Sequence, residues 1–432
     1  MPDFHLSVFQ VDATPPDGHP LCGGWIKPVA AVDDPLSLRG VVIQGADRPI
    51  VLAALDWTGV MNESRRLWTE ALAEAAHTTP DRVALHCVHQ HNAPFIDRDG
   101  NDLLRASGSD TLLYAEPFVD DLMKRSAAAV RAAVNSGVPV THVRSGAAEV
   151  KQVASNRRVL GPDGKVKIVR YSASRDPEAI AAPEGTIDPL LRSVGFYRGD
   201  RPLARLYYYT THPMSYYGDG RVSSDFVGLA RARRDLEEPG ALHLYFTGAA
   251  GNVTAGKYND GSKPARVALT DRVHAGMIAA DADADHRARR LDTLRWRTSP
   301  FVFQPREDLD LDALKAIVAD PRQTTVNRNR SAMTCGWLIR LASKRPILLG
   351  RLDLTAATLL HLPAETFVEY QLDAQKVRPG TSLAVAAYGD GGPWYIPLKR
   401  SFAEGGYEPG VAFVSRETEP AYTRAIADLL RA

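Results

Sequence analysis

Cysteine is scarce in this chain. There are three in 432 residues, Cys22, Cys87 and Cys335. They are far apart, odd in number and form no C-x-x-C pair. That pattern argues against a disulfide framework or a cysteine-based structural zinc, and it predicts a cytoplasmic setting. No apolar run approaches the roughly 18 residues that a membrane-spanning helix needs. The leading MPDFHLSVFQVDATPP has neither the basic nor the apolar stretch of a secretory signal, so none is expected. No charge sign dominates, with Lys+Arg 52 against Asp+Glu 51 and a net charge of +1. The totals therefore do not point to a nucleic-acid partner. A G-x-S-x-G elbow is missing, which weighs against a serine hydrolase. The small-residue loop Phe246–Thr254 lacks the G-K-[ST] ending of a phosphate-binding loop. Repeats and low-complexity blocks are absent as well.

What remains is an ordinary globular composition, 44% hydrophobic and 24% charged. The length alone suggests two or three domains. No Pro/Gly/Ser linker divides the chain, so a single domain over residues 1–432 is expected. Apolar runs at 41–43, 50–55, 83–88, 203–211, 241–246, 291–296, 357–362 and 383–388 read as strands. Helical stretches are expected at 62–77, with Asn62 as its cap, and at 118–134, 266–287, 310–318, 366–375 and 420–431. Segment 161–185 reads as a surface excursion. Interleaved strands and helices predict an α/β fold with mixed sheets and surrounding helices.

The densest chemical signal is Leu85-His86-Cys87-Val88-His89-Gln90-His91-Asn92-Ala93-Pro94, which holds three of the 12 histidines. At the end of a strand, positions i and i+2 face one side, so His89 and His91 offer two imidazoles to one ion. The alternative is a hydrogen-bonded histidine pair. Cys87 shares their parity and is expected to be a small buried residue lower on the strand. His212 follows the apolar run Tyr207-Tyr208-Tyr209, and Glu365 follows Leu359-Leu360-His361-Leu362-Pro363. Both stand where open sheets place their sites. Glu365 also has a plainer explanation as a favourable charge at a helix start. Two histidines and a carboxylate with an open position make up a catalytic zinc set.

Taken in order, these segments resemble the catalytic domain of the neutral ceramidases. VHQHNAP at 88–94 resembles the family's THTHSGP, and ASNRR at 154–158 its SINRSP. IDPLL at 187–191 resembles its V-D-P segment. THP at 211–213 and SDFVG at 224–228 resemble its H-x-T-S and SGDNKG. AGNVT at 250–254 resembles its AGDVSP, and LPAE at 362–365 its LPGE. WYI at 394–396 and GYE at 406–408 resemble its GYVTT and YEGG. The resemblance implies a Zn2+ hydrolase that cleaves an amide. The metal would be held by His89, His212, Glu365 and Tyr395, with His91, Arg157 and Tyr407 around the scissile carbonyl. Arg157 and Tyr407 would donate to the developing oxyanion. His91 would orient a ligand or carry a proton to the leaving amine.

The family's loop acid and serine are Asn252 and Thr254 here. That favours a metal-activated water over a covalent serine, and leaves both residues as substrate-binding or supporting groups. The chain is expected to act on a soluble N-acyl small molecule rather than on ceramide. An ester or lactone hydrolase on the same scaffold, or a non-catalytic metal-binding protein, are the alternatives. Arg157-Arg158 would suit an anionic substrate, although a structural pair is the commoner outcome.

Overall fold

The computed structural model describes residues 4–45 and 47–432. The architecture is mixed α/β. Three larger sheets pack together, with helices on their outer faces. The first sheet runs, in spatial order, Val83–Cys87, Ile50–Leu55, Ser37–Gln44, His5–Asp12 and Val138–Pro139. The second runs Leu242–Thr247, Arg201–Tyr209, Leu190–Arg198, His142–Glu149 and Arg289–Arg290. The third runs Leu294–Phe301, Ile347–Leu354, Thr358–His361 and Leu383–Ala386.

Most neighbours are antiparallel, but each sheet contains one parallel pair. These pairs are Ile50–Leu55 with Val83–Cys87, Arg201–Tyr209 with Leu242–Thr247, and Thr358–His361 with Leu383–Ala386. Five of the six strands are fully or almost fully buried and Arg201–Tyr209 is buried from Ala204 onward, which is why each reads as a continuous apolar run rather than an alternation. Parallel neighbours end at the same edge. Each pair therefore delivers two loops side by side, and the chemistry-bearing segments are those loops.

His86 locks the three pairs together from within Val83–Cys87. Its Nδ1 lies 2.6 Å from the Ala387 carbonyl of the third sheet, and its Nε2 accepts from the Thr247 N–H of the second at 3.0 Å. Burial pulls its pKa down to about 3, so the ring is neutral. Of the three motif histidines, this one is structural.

Helices cover the outer faces. Asn62–Ala75 and Glu116–Val134 pack against the first sheet, Asp225–Glu237 and Lys263–Asp285 against the second, and Thr418–Arg431 against the third. Gly146 lets Lys263–Asp285 lie close. A Cβ there would stand 2.3 Å from the Ala280 carbonyl oxygen.

Several expectations need correction. Asn62 is the first residue of its helix, at φ 45°, and does not cap it: Met61 holds the cap position, and the Asn62 Nδ2 donates to Asp97 at 2.8 Å while its Oδ1 accepts no hydrogen bond. The strand expected at 291–296 begins at Leu294 and continues to Phe301. Helix Thr325–Ala342 has no counterpart in the expected elements, because its buried face includes Arg328, Asn329, Ser331 and Thr334 and leaves no clean apolar stripe. The turn expected at 45–49 includes Ala46, which lies outside the described residues.

Candidate metal centre and active site

His89 and His91 reach one site by a route other than the one their spacing implied. The strand ends at Cys87, and His89 sits beyond it with φ 75°, so alternation along a strand does not align the two rings. A left-handed residue turns the chain instead, held by the His89 N–H donating to the Trp57 carbonyl at 2.9 Å. His212 follows Arg201–Tyr209, and its N–H donates to Val253 O at 3.0 Å. The ring nitrogens of His89, His91 and His212 lie within 4.8 Å of one another.

Glu365 completes the cluster. One of its oxygens, Oε2, lies 2.9 Å from His212 Nε2 and 3.4 Å from His89 Nε2. The other nitrogen of each ring faces main-chain carbonyls. His89 Nδ1 is 2.6 Å from Thr58 O, and His212 Nδ1 is 2.7 Å from Ala250 O. A carbonyl only accepts, so both Nδ1 atoms carry the hydrogen and both Nε2 atoms turn their lone pairs inward. Three acceptor atoms then converge, with the Arg157 Nη2 donor 3.4 Å from His212 Nε2. A cation between them would relieve that arrangement.

Protons fill this role poorly. Burial, with the Arg157 charge nearby, pulls His212 down to about 4. Burial, with the neighbouring imidazoles, holds His91 well below the usual histidine range. Burial pushes the Glu365 carboxyl up; positive charge on the His89 and His212 side outweighs this and keeps it ionised, and with both rings neutral a bound cation would supply that charge. Neutral imidazoles beside a carboxylate form a donor set for a divalent metal. The Nε2 atoms of His89 and His91 are buried without a hydrogen-bond partner, as such a set requires. Backbone carbonyls that fix ring orientation are what metal-binding histidines commonly use.

Glu365 pairs with Tyr395 in a short parallel ladder, which places the Tyr395 ring beside the cluster. The Tyr395 hydroxyl accepts from Arg157 Nη1 at 3.0 Å. Arg157 Nη2 stands 3.4 Å from His212 Nε2. The guanidinium lies 5.6 Å from the centre of the Tyr407 ring, and the two tyrosine rings meet edge to face at 5.7 Å. Burial pushes the Tyr407 hydroxyl up to about 12, leaving it a donor at neutral pH. Arg157 is itself buried, and burial opposes its charge. The neighbouring Tyr395 and Glu408 outweigh that and keep it firmly protonated.

Asn252 and Thr254 are both tied into the surrounding chain. The Asn252 carbonyl accepts the Arg157 N–H at 2.7 Å, and its amide bonds the Val368 N–H and Glu369. The Thr254 hydroxyl donates to Tyr171 O at 3.0 Å and accepts from the Gly256 N–H. Arg158 pairs with Glu404 and Glu408 at 3.0 and 2.9 Å, so the second arginine is structural. Cys87 is buried and its thiol is pushed up to about 12, which leaves it no thiolate character at neutral pH.

Tyr388, Glu408 and Tyr217 were not among the functional residues expected from the sequence. Tyr388 stacks on His89 at 4.3 Å from a left-handed turn (φ 58°) after Leu383–Ala386. Glu408 is fully buried, its Oε1 3.8 Å from Arg157 Nε. Tyr217 meets the His91 ring edge-on at 5.3 Å and is 45% exposed, which places it at the outer side of the cluster. Only Glu408 had a sequence cue, its adjacency to Tyr407.

No family model matches this sequence, and no curated protein matches it significantly. Solved structures do. Neutral ceramidase from Pseudomonas aeruginosa superposes with a TM-score of 0.71 at 16% identity, over 100% of this chain and 74% of that one. A ceramidase complexed with C2 gives a TM-score of 0.71 at 15% identity, over 100% and 75%. At these identities the likeness establishes a shared fold: the chain is folded like the neutral ceramidases.

Proposed function

We propose that this chain is a zinc-dependent hydrolase that cleaves the amide bond of a soluble N-acyl small molecule, with residues 1–432 acting as one catalytic domain. The observation that carries this reading is the convergence of two inward-facing imidazole lone pairs on one carboxylate oxygen. The separations of 2.9 and 3.4 Å resemble the roughly 3.3 Å between ligand atoms around a tetrahedral zinc. The ceramidase fold, shared with enzymes whose name denotes amide cleavage, supports the choice of bond. His89, His212 and Glu365 would hold the ion, with the Tyr395 hydroxyl beside them. A metal there supplies Lewis acidity and lowers the pKa of a coordinated water.

The chain's own groups account for the remaining work. Arg157 and the Tyr395 and Tyr407 hydroxyls form a preorganised donor set for charge developing on a carbonyl oxygen. Tyr395 accepts from Arg157 and so keeps its own hydrogen free to donate. His91 is neutral and has an unpartnered Nε2, which suits it to carry a proton to the departing nitrogen. The ring of Tyr388 covers one face of His89. The free, buried cysteines support a cytoplasmic setting. Among the described residues no helix is long and apolar enough to cross a membrane.

Metal analysis with a substrate panel tests this. The native chain should carry about one zinc, and chelation should abolish turnover of N-acyl amines. His212→Ala should lose the zinc and at least about 100-fold in kcat/KM while remaining folded. A chain without a stoichiometric metal, or one that turns over lactones but no amide, would overturn the reading.

A further inference from the structure

The segments that carry Glu365 and Tyr388 also border a second cleft, of about 200 Å³. Leu362, Pro363, Gly389 and Asp390 form that border, and no residue of the histidine cluster lines it. Four arginines do: Arg65, Arg66, Arg340 and Arg345. Three have a carboxylate partner. Arg66 pairs with Glu63 and Glu70, Arg345 with Glu63 at 2.7 Å, and Arg340 with Asp390 at 2.9 Å. Arg65 forms no ion pair. Its Nε donates to the Gly389 carbonyl at 2.5 Å, and among the described residues its two Nη groups have no hydrogen-bond partner. Burial draws its pKa down to about 10, still leaving the guanidinium charged at neutral pH.

Part of the lining is apolar. Trp296 stands there with its indole fixed by Nε1–H donating to Asp81 O at 2.7 Å, flanked by Val83, Ile347 and Leu348. The volume falls below the range of about 300–1,000 Å³ usual for drug-sized ligands, so the occupant is small. A guanidinium with no ion pair of its own, supported by the nearby Asp390 charge, and with its Nη edge open matches a carboxylate bidentately. A single spare cation with Asp81 and Asp390 nearby disfavours a multiply charged phosphate.

We propose that this cleft is a second ligand site, which binds a small organic monocarboxylate with its carboxylate on the Arg65 Nη groups and its apolar body against Trp296 and Leu348. The acid released by an N-acyl hydrolase belongs to this class. The site itself stands on its own lining and does not require that reading.

Isothermal calorimetry on the full chain tests it, with phenylacetate, phenylacetamide and inorganic phosphate as probes. Phenylacetate should bind saturably, and phenylacetamide and phosphate about tenfold more weakly or worse. Arg65→Gln should weaken phenylacetate by about tenfold or more. Leu348→Glu, at a position 43% exposed, should do the same by placing a like charge at the mouth, and it carries the test if loss of the Arg65–Gly389 bond unfolds the first variant. Absence of saturable phenylacetate binding, equal affinity for acid and amide, equal affinity for phosphate, or unchanged binding in Leu348→Glu would each overturn the proposal. The readout does not involve turnover, so failure of the hydrolase reading would leave this result standing, and the reverse holds too.

Discussion

Hydrogen-bond partners, more than residue type, separate the histidines of this chain. His86, His89 and His91 share a ten-residue segment, yet His86 has both nitrogens taken by backbone groups, whereas His89 and His91 each keep an unpartnered Nε2. His91→Ala tests the division of labour within the cluster. It should keep zinc at wild-type stoichiometry and lose about 100-fold or more in kcat. Loss of zinc instead, measured by atomic absorption, would make His91 a ligand.

Asp97 offers a second test at this scale. Burial first, then the Asp99 charge, raise its carboxyl to about 8. The unfolded chain releases that proton near pH 4. Between about pH 4 and 8 the folded state binds more protons, so this group's contribution to stability falls as pH rises and stays low above pH 8. Asp97→Asn should therefore gain on the wild type between pH 5 and pH 9, by on the order of 4 kcal/mol. Urea unfolding at the two pH values checks this, and a gap that does not change with pH would contradict it.

At the scale of elements, the loop after Leu242–Thr247 does the positioning. Its carbonyls orient His212 and receive the Arg157 N–H. The Gly251 N–H donates to the Thr366 carbonyl at 2.9 Å, in the chain segment of Glu365. A Cβ on Gly251 would lie 2.2 Å from the Glu365 carbonyl oxygen. Gly251→Ala must push this loop and the Glu365 segment apart. It should cost about 2 kcal/mol or more and weaken zinc binding with it. Thermal unfolding with and without added zinc reads both effects. The small-residue run at 248–251 was visible in the sequence as a loop that permits close approach. That its neighbour is the carboxylate's own backbone was not, since 114 positions separate Gly251 from Glu365. Helix Thr325–Ala342 shows the converse limit, because its buried polar residues find partners such as the Gly23 carbonyl (with Asn329) only in three dimensions.

For the molecule as a whole, the three sheets are joined where their parallel pairs end. His86→Ala would leave the Ala387 carbonyl and the Thr247 N–H unpaired and open a cavity between sheets. A loss of about 3 kcal/mol is expected. Denaturant titration measures it, and a loss under about 1 kcal/mol would mean that the sheets are held by apolar packing alone.

The sequence by itself determined which apolar runs are strands and which reactive residues follow them, while several strand ends, such as Tyr209 and Phe301, fell elsewhere than expected. Apolar runs and the residues just after them are local properties, and burial on both faces writes parallel strands as unbroken apolar text. It also carried an ordered set of motifs sufficient to point to the ceramidase fold. Only the tertiary structure decided which histidine braces the sheets, and that Arg158 is structural while Arg157 lies beside His212. Those roles depend on contacts such as His86 with Ala387, 301 residues apart, and Arg158 with Glu408, 250 apart. The left-handed turn at His89, rather than strand alternation, brings its ring to the cluster. Such contacts have no local sequence signature, because the energy that selects them comes from burying three sheets against one another.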